Sequence, residues 1–207
     1  LYEQHDCFYK LPHINIDDIP DTEFPLYSHW SYDRIYRNDM IKQPDVLMFQ
    51  LLYNGDFTKE CKKANYEYYE PRCIHESSLS PSVHSILAAE IGKYDEAVDF
   101  FAFATRMDLD DYNRNTCEGL HTTSIAAAWL NIVYGFGGLR SDRELKIAPV
   151  LPTNWTKYSF SLTVNGVVLK FVVDANGVTI INKTNTPLDI TVCDKKYTIT
   201  NTITVAR

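Results

Sequence analysis

The sequence has no concentrated positive charge: 20 Lys and Arg stand against 27 Asp and Glu, a formal net charge of −7. That balance gives nucleic-acid binding no electrostatic footing. No apolar run is long enough to cross a bilayer, and no segment has the layout of a signal peptide. The opening LYEQHD carries no initiator methionine, which leaves upstream sequence open. Cys7, Cys61, Cys73, Cys117 and Cys193 follow no zinc-ligand spacing, and an odd number cannot all pair within one chain. Reduced, mostly buried thiols in a cytoplasmic protein are the expectation. Asn154-Trp155-Thr156 and Asn182-Lys183-Thr184 fit the glycosylation sequon, which matters only in a secreted protein. Two catalytic signatures are missing as well. No Gly-x-Ser-x-Gly elbow surrounds any serine. Gly135, Gly137 and Gly138 lack the spacing and the lysine of a phosphate loop, so helix termination and a close backbone turn explain them better.

What is present divides near Gly138. A chain of 207 residues, 45% hydrophobic and 23% charged, can bury one good core or one medium and one small core. It holds 14 Tyr, 10 Phe and 3 Trp, rings that carbohydrate sites and ordinary cores both use. Residues 1–38 are aromatic and acidic with little periodicity. Helical signals then become regular. Pro44 suits the first turn of a helix through DVLMFQLLYN, with Gly55 near its end. Phe57, Cys61, Ala64 and Tyr68, at spacings of four, three and four, predict a second helix with a single apolar stripe. Ser80-Pro81 reads as an N-cap and N1 proline before a helix that buries Val83, Leu87 and Ile91 and stops at Gly92. A fourth helix is predicted from Tyr94 to Met107, burying Ala97, Phe101 and Ala104. A fifth, Thr123 to Tyr134, is apolar nearly all round and predicts an enclosed position.

Beyond Gly138, SFSLTV, VVLKFVV, VTII and LDITV alternate or form β-branched runs, joined by Asn165-Gly166 and Asn176-Gly177. Asn-Gly suits tight hairpins, so antiparallel β structure is predicted, with a core small enough to need support from the helices. Residues 141–207 carry eight Lys and Arg against five Asp and Glu, leaving the negative excess to residues 1–140. The helices do not obviously close around a core of their own; the simplest resolution is that they are a piece of a larger helical array.

Three polar stretches could do chemistry. HESSLSP, residues 75–81, sets two serines before a helix that Ser80 can cap unaided. Capping or loop hydrogen bonding is the bland reading. The other is an anion cradle, since free N–H groups at a helix start attract negative charge. EGLHTTS, residues 118–124, has the same look: Glu118 and His121 precede a helix start that Thr122, Thr123 or Ser124 could cap. If both stretches meet at one end of the array, they surround one anion from two sides. Lys42-Gln43 is the third candidate, a donor beside a donor-acceptor amide that could share sugar hydroxyls. His84, inside a predicted helix, reads as structural.

KQPDV, HESSLSPSVH, DDYN, EGLHTTSIAAAWLNIVYGFGGLR and KIAPVLPTNW, in that order, resemble the C-terminal region of glycoside hydrolase family 65. LYEQHDCFYKLP and PLYSHWSYDRIYR extend the resemblance over essentially the whole chain. The family includes inverting phosphorylases of maltose, trehalose, kojibiose and nigerose. The resemblance implies a mainly α fold followed by β. Residues 1–140 would be the C-terminal part of an (α/α)6 catalytic barrel and residues 141–207 a small antiparallel β-sandwich domain. It implies that Lys42 and Gln43 contact the glucosyl unit, and that Ser77, Ser78 and His121 hold inorganic phosphate, with His75, Glu118 and Thr123 in support. No residue of this chain matches the general-acid glutamate, which is expected upstream together with the Trp-Asp pair lining the glucose pocket. Departures from the family are His5, Cys7 and Pro44.

The implied reaction is reversible phosphorolysis of an α-linked glucose disaccharide, maltose being the first choice, with phosphate as co-substrate and neither metal nor cofactor. Phosphate attack from the face opposite the upstream acid gives inversion and β-glucose 1-phosphate. Phosphate is already nucleophilic, so its seat needs donors and no base. An isolated 207-residue chain lacking the acid is expected to be inactive. Expected partners are the rest of the same protein and a second copy, since relatives form dimers. A family hydrolase of the trehalase or kojibiose hydrolase kind is the first alternative; it needs a base carboxylate, for which Glu76 is the candidate. A noncatalytic carbohydrate-binding or structural module is the second.

Overall fold

The computed structural model describes residues 1–142 and 144–206. Two short helices, α1 (Leu26–His29) and α2 (Tyr32–Tyr36), precede five longer ones: α3 (Asp45–Leu52), α4 (Lys59–Tyr69), α5 (Ser80–Ile91), α6 (Tyr94–Arg106) and α7 (Thr122–Leu130). A π-helical continuation, Asn131–Phe136, leads into the sheets. An α-helical region followed by a β-sheet region is therefore the architecture.

Helix α5 is the hub. It touches α3, α4, α6 and α7 and buries nearly every side chain from Ser80 to Ile91. Gly92, at φ 96°, ends it in a left-handed cap, its N–H donating to Ala88 O at 3.1 Å. The sequence pattern reserved the enclosed position for the helix that became α7. Among the described residues α7 instead buries only Ser124 and exposes Ile125, Trp129 and Leu130. A uniformly apolar helix needs neighbours on every side, and here α6 and α5 supply one side only.

Helix α4 differs from expectation in a second way. Its buried residues are Lys62, Asn65, Tyr66 and Tyr69, while Ala64 is exposed and Cys61 half-buried. The face turned inward is polar but paired. Lys62 Nζ lies 2.6 Å from Glu90, and Tyr66 donates to Glu96 at 2.7 Å. Asn65 accepts from the Tyr2 amide at 2.7 Å, and Tyr69 donates to the Tyr2 carbonyl at 2.5 Å. Tyrosines whose hydroxyls find such partners can be buried without an unsatisfied group, and a hydropathy stripe cannot see the partners.

The β region contains β1 (Lys146–Ile147), β2 (Lys157–Val164), β3 (Val167–Asp174), β4 (Gly177–Asn182), β5 (Leu188–Val192), β6 (Lys195–Ile199) and β7 (Thr202–Val205). One antiparallel sheet runs β2-β3-β4-β7; the other runs β1-β5-β6. The expectation of purely antiparallel pairing fails at β1, which lies parallel to β5. Val167, Leu169, Phe171 and Val173 alternate inward along β3 and share one core with Ile190, Val192 and Ile199 of the second sheet. Asn165 and Gly166, at φ 50° and 78°, form the two-residue hairpin expected of them. The next turn moves by one residue. Asp174 pairs with Gly177, so Ala175-Asn176 is the loop and Gly177 begins β4, where a Cβ would meet Val205 O at 2.2 Å.

The two regions share that core. Trp155 packs on Phe101 and Phe136 at centroid distances of 5.8 and 5.0 Å, and Tyr158 donates to Phe136 O at 2.6 Å. Gly137 sits where a side chain would strike Phe160, which gives the glycine-rich run the close-turn role expected of it. Arg140 joins the Lys62–Glu90 pair at 2.7 Å. The sheets lean on the helices, as their small core requires.

Of the cysteines, only Cys73 is buried; Cys7 and Cys117 are exposed and Cys61 and Cys193 intermediate, all free. The mostly buried thiols expected from the sequence are thus corrected to one, the others lying on loops and outer faces.

Candidate functional site

A single backbone bridge brings two of the candidate stretches together. Ile41 N–H donates to Arg72 O at 2.8 Å and Ile74 N–H to Ile41 O at 3.0 Å, pairing Ile41 with Cys73 in parallel. Lys42-Gln43 then runs beside His75-Glu76-Ser77. Ser77 Oγ donates to Gln43 Oε1 at 2.9 Å and accepts from Leu79 N–H at 3.3 Å. Ser77 is buried and Ser78 half-buried, in the turn that opens α5. Lys42 Nζ lies 5.3 Å from the centre of the Tyr27 ring, within cation–π reach.

Ser80, the expected N-cap, is the first residue of α5, and its hydroxyl faces inward. Its Oγ lies 2.6 Å from His75 Nδ1 and 3.2 Å from Cys73 Sγ, and its carbonyl accepts from His84 Nδ1 at 2.8 Å. His75 occupies φ 52°, a left-handed conformation costing about 1–3 kcal/mol in a non-glycine residue. Its ring packs on His84 and Phe100 at 4.7 and 4.9 Å, and the Ser80 bond adds to the packing that holds it. Burial, reinforced by the neighbouring His84, drives His75 well below the usual histidine range. Burial takes His84 to about 4, against the opposing pull of the Ser80 carbonyl. Both rings are neutral at pH 7. His75 therefore supports the turn by packing and carries no charge for an anion.

Cys73, His75 and His84 are also the one trio of metal-type side chains among the described residues, with a ligand atom from each within 4.8 Å of the others. A metal would need the Cys73 thiolate. Burial opposes ionisation, pushing the thiol up to about 11, and the Ser80 hydroxyl already bonds to Cys73 and His75.

Glu76 is buried, and both its oxygens are engaged: one accepts the Leu26 N–H, the other the Tyr27 N–H at 3.2 Å. The carboxylate is thereby committed to the entry of α1. Tyr27 carries the connection onward, its hydroxyl donating to Asn113 O at 2.7 Å. Phe24, Pro25, Glu76, Tyr112 and Arg114 line an open cavity of about 230 Å³ at this junction.

At the α7 entrance, Asp108 grips His121 twice. Its Oδ1 accepts His121 Nδ1–H at 2.5 Å and its Oδ2 the His121 backbone N–H at 2.8 Å. The bond from the His121 side chain, ahead of the other contributions, holds the Asp108 carboxyl below its usual range. Ser124 Oγ turns inward to Ala104 O at 2.9 Å, so it does not cap; Thr123 and Glu118 are exposed.

The structure thus joins Gln43 to Ser77 and ties the serine turn to the 107–121 loop through Glu76, Tyr27 and Asn113. Sequence reasoning missed Tyr27, Asn113 and Asp108. Asp108 stands in MDLDDYN, where clustered acids look like a solvated loop, and only its thirteen-residue reach to His121 shows otherwise.

Comparison with known proteins gives two family matches. Residues 1–130 match the central catalytic domain of glycosyl hydrolase family 65, and residues 139–199 match the C-terminal domain of that family. The maltose phosphorylase of Bacillus subtilis is 46% identical over 84% of this chain and 23% of its own length. The alpha,alpha-trehalose phosphorylase of Thermoanaerobacter brockii is 43% identical over 95% of this chain and 26% of its own. A solved structure from the human microbiome, assigned provisionally as a kojibiose phosphorylase, superposes with a TM-score of 0.94 at 55% identity, covering 100% of this chain and 31% of that one. The chain spans about a quarter of the length of these curated relatives.

Proposed function

The chain belongs to glycoside hydrolase family 65, and from that premise we propose that it supplies the phosphate seat and part of the glucose site of an inverting disaccharide phosphorylase. Ser77, Ser78 and His121 hold inorganic phosphate. Lys42 and Gln43 hold the glucosyl unit at the bond being broken. A glutamic acid outside this chain protonates the glycosidic oxygen while phosphate attacks the opposite face of the anomeric carbon, giving β-glucose 1-phosphate and a free sugar. His75 acts through the turn, and Glu118 and Thr123 give outer support at the entrance to α7.

The observation that carries phosphorolysis over hydrolysis is the engagement of Glu76. An inverting hydrolase needs a carboxylate to activate water. Glu76 is the carboxylate of the serine turn, yet it is buried and spent on two backbone amides. Hydroxyls and a histidine remain, which suits an oxyanion that brings its own nucleophilicity. The outer faces of α3 and α7 support the barrel reading. Phe49, Leu52, Ile125 and Trp129 are 43–67% exposed, an apolar surface of the kind that further helices of the same array would cover.

Turnover of maltose, trehalose and kojibiose by the full-length protein, with and without phosphate, tests the reading. Consumption that requires phosphate and yields β-glucose 1-phosphate is expected, as is no turnover by the 207-residue chain alone. Equal turnover without phosphate contradicts it.

A further inference from the structure

We infer that Asp108 is the positioning residue of the anion site, fixing the tautomer and direction in which His121 meets phosphate; this rests on the phosphorylase reading above. The carboxylate accepts from Nδ1 and from the backbone N–H of the same residue, at 2.5 and 2.8 Å. Two bonds from one rigid fork fix both the ring and the main chain it hangs from. Donation from Nδ1 leaves Nε2 as the nitrogen that can meet a ligand, and among the described residues no group takes it. A phosphate hydroxyl donates to that nitrogen, and a proton passed from it to the ring is matched by the Asp108 carboxylate on the far side. A carboxylate behind a ligand-facing imidazole is the arrangement by which proteins set tautomer and basicity from the rear.

The loop that carries this carboxylate is braced for the purpose. Asp111 Oδ1 accepts from Thr116 N–H and Oγ1–H at 3.1 and 2.8 Å, and Tyr112 N–H donates to Met107 O at 3.1 Å. Tyr27 fastens the loop to the serine turn through Asn113 O. Asp108 is thus held in place before any ligand arrives, which is what positioning requires.

The test is nitrogen-15 NMR of His121 in the 207-residue chain and in Asp108→Asn, with inorganic phosphate titrated into both. The chain as it stands is expected to show one ring arrangement, with the Nδ1 proton bonded to Asp108, and a phosphate-dependent shift at Nε2. Asp108→Asn is expected to lose the single tautomer and to need at least about tenfold more phosphate, while Asp108→Glu recovers part of both. Thermal melts of the variants verify that each is folded. The same tautomer and the same phosphate midpoint in both proteins would overturn the inference. A fixed tautomer with no response to phosphate in the unmodified chain would instead sink the phosphorylase reading and leave the Asp108 grip standing.

Discussion

At the entrance to α5 the histidines are sealed in. His75 and His84 face each other among aromatic rings, share the Ser80 residue as partner, and stay neutral because burial makes charge expensive. At the entrance to α7 the histidine is half-buried against a carboxylate, its ring turned by a group that can balance a positive charge. The two helix starts carry similar residues, His with nearby Glu and hydroxyls, and serve opposite ends. One spends its polar groups on holding a strained turn; on the proposed reading Ser77 and Ser78 are left to meet phosphate. The other spends a carboxylate on aiming a histidine. The lesson is that partner and depth, rather than residue type, set what each histidine can do: one pair is sealed and neutral, the other ring is aimed by a carboxylate.

The largest expected effect that would sharpen this contrast is at Glu76. Glu76→Ala should destabilise the chain by about 3–5 kcal/mol in urea unfolding, because two buried amides lose a charged acceptor. A hydrolytic base in the same place would instead show lost turnover with stability nearly unchanged. Next comes pH. His84 takes its proton near 6.5 in the unfolded chain and near 4 in the fold. Between those values the unfolded chain binds more protons, so stability is fully present above about 6.5 and declines as pH falls toward 4. The loss approaches about 3 kcal/mol, and His84→Gln should flatten that slope. A slope unchanged in His84→Gln would mean that the α5 entrance is not closed to charge.

How far the sequence could be read follows the same division. Helix and strand positions came through because prolines, caps and period are local: Pro81 stands in the first turn of α5, Gly92 ends it, and Asn165-Gly166 turns the first hairpin. Burial did not come through where it depends on distant partners. Tyr66 and Lys62 are buried because Glu96 and Glu90 meet them, and α7 is exposed because the described residues cover one side of it. At the candidate site, the serines and His121 stand in local motifs that the sequence displays. Asp108 and Tyr27 were not, since each acts across a gap in sequence that no local pattern spans.

Three further substitutions complete the comparison, two of small effect and one in the core that calibrates them. Ser77→Ala removes the bond to Gln43 and should cost about 1 kcal/mol of stability, a loss that equilibrium unfolding would resolve. If Ser77 also meets phosphate, its affinity falls about tenfold in a phosphate titration of the same variant. Trp129→Ser, on the open face of α7, should change the stability of this chain by no more than about 0.5 kcal/mol. Leu87→Ala, at a fully buried position of α5, should cost about 2–5 kcal/mol. Equal losses at the two positions would mean that the α7 face is already covered.

The most direct measurement follows backbone and side-chain NMR signals of Gln43, Ser77, Ser78 and His121 as inorganic phosphate is added. One seat formed by both helix entrances predicts that all four respond along a single binding curve with one midpoint. Responses at only one entrance, or two curves with different midpoints, would show that the entrances do not share an anion.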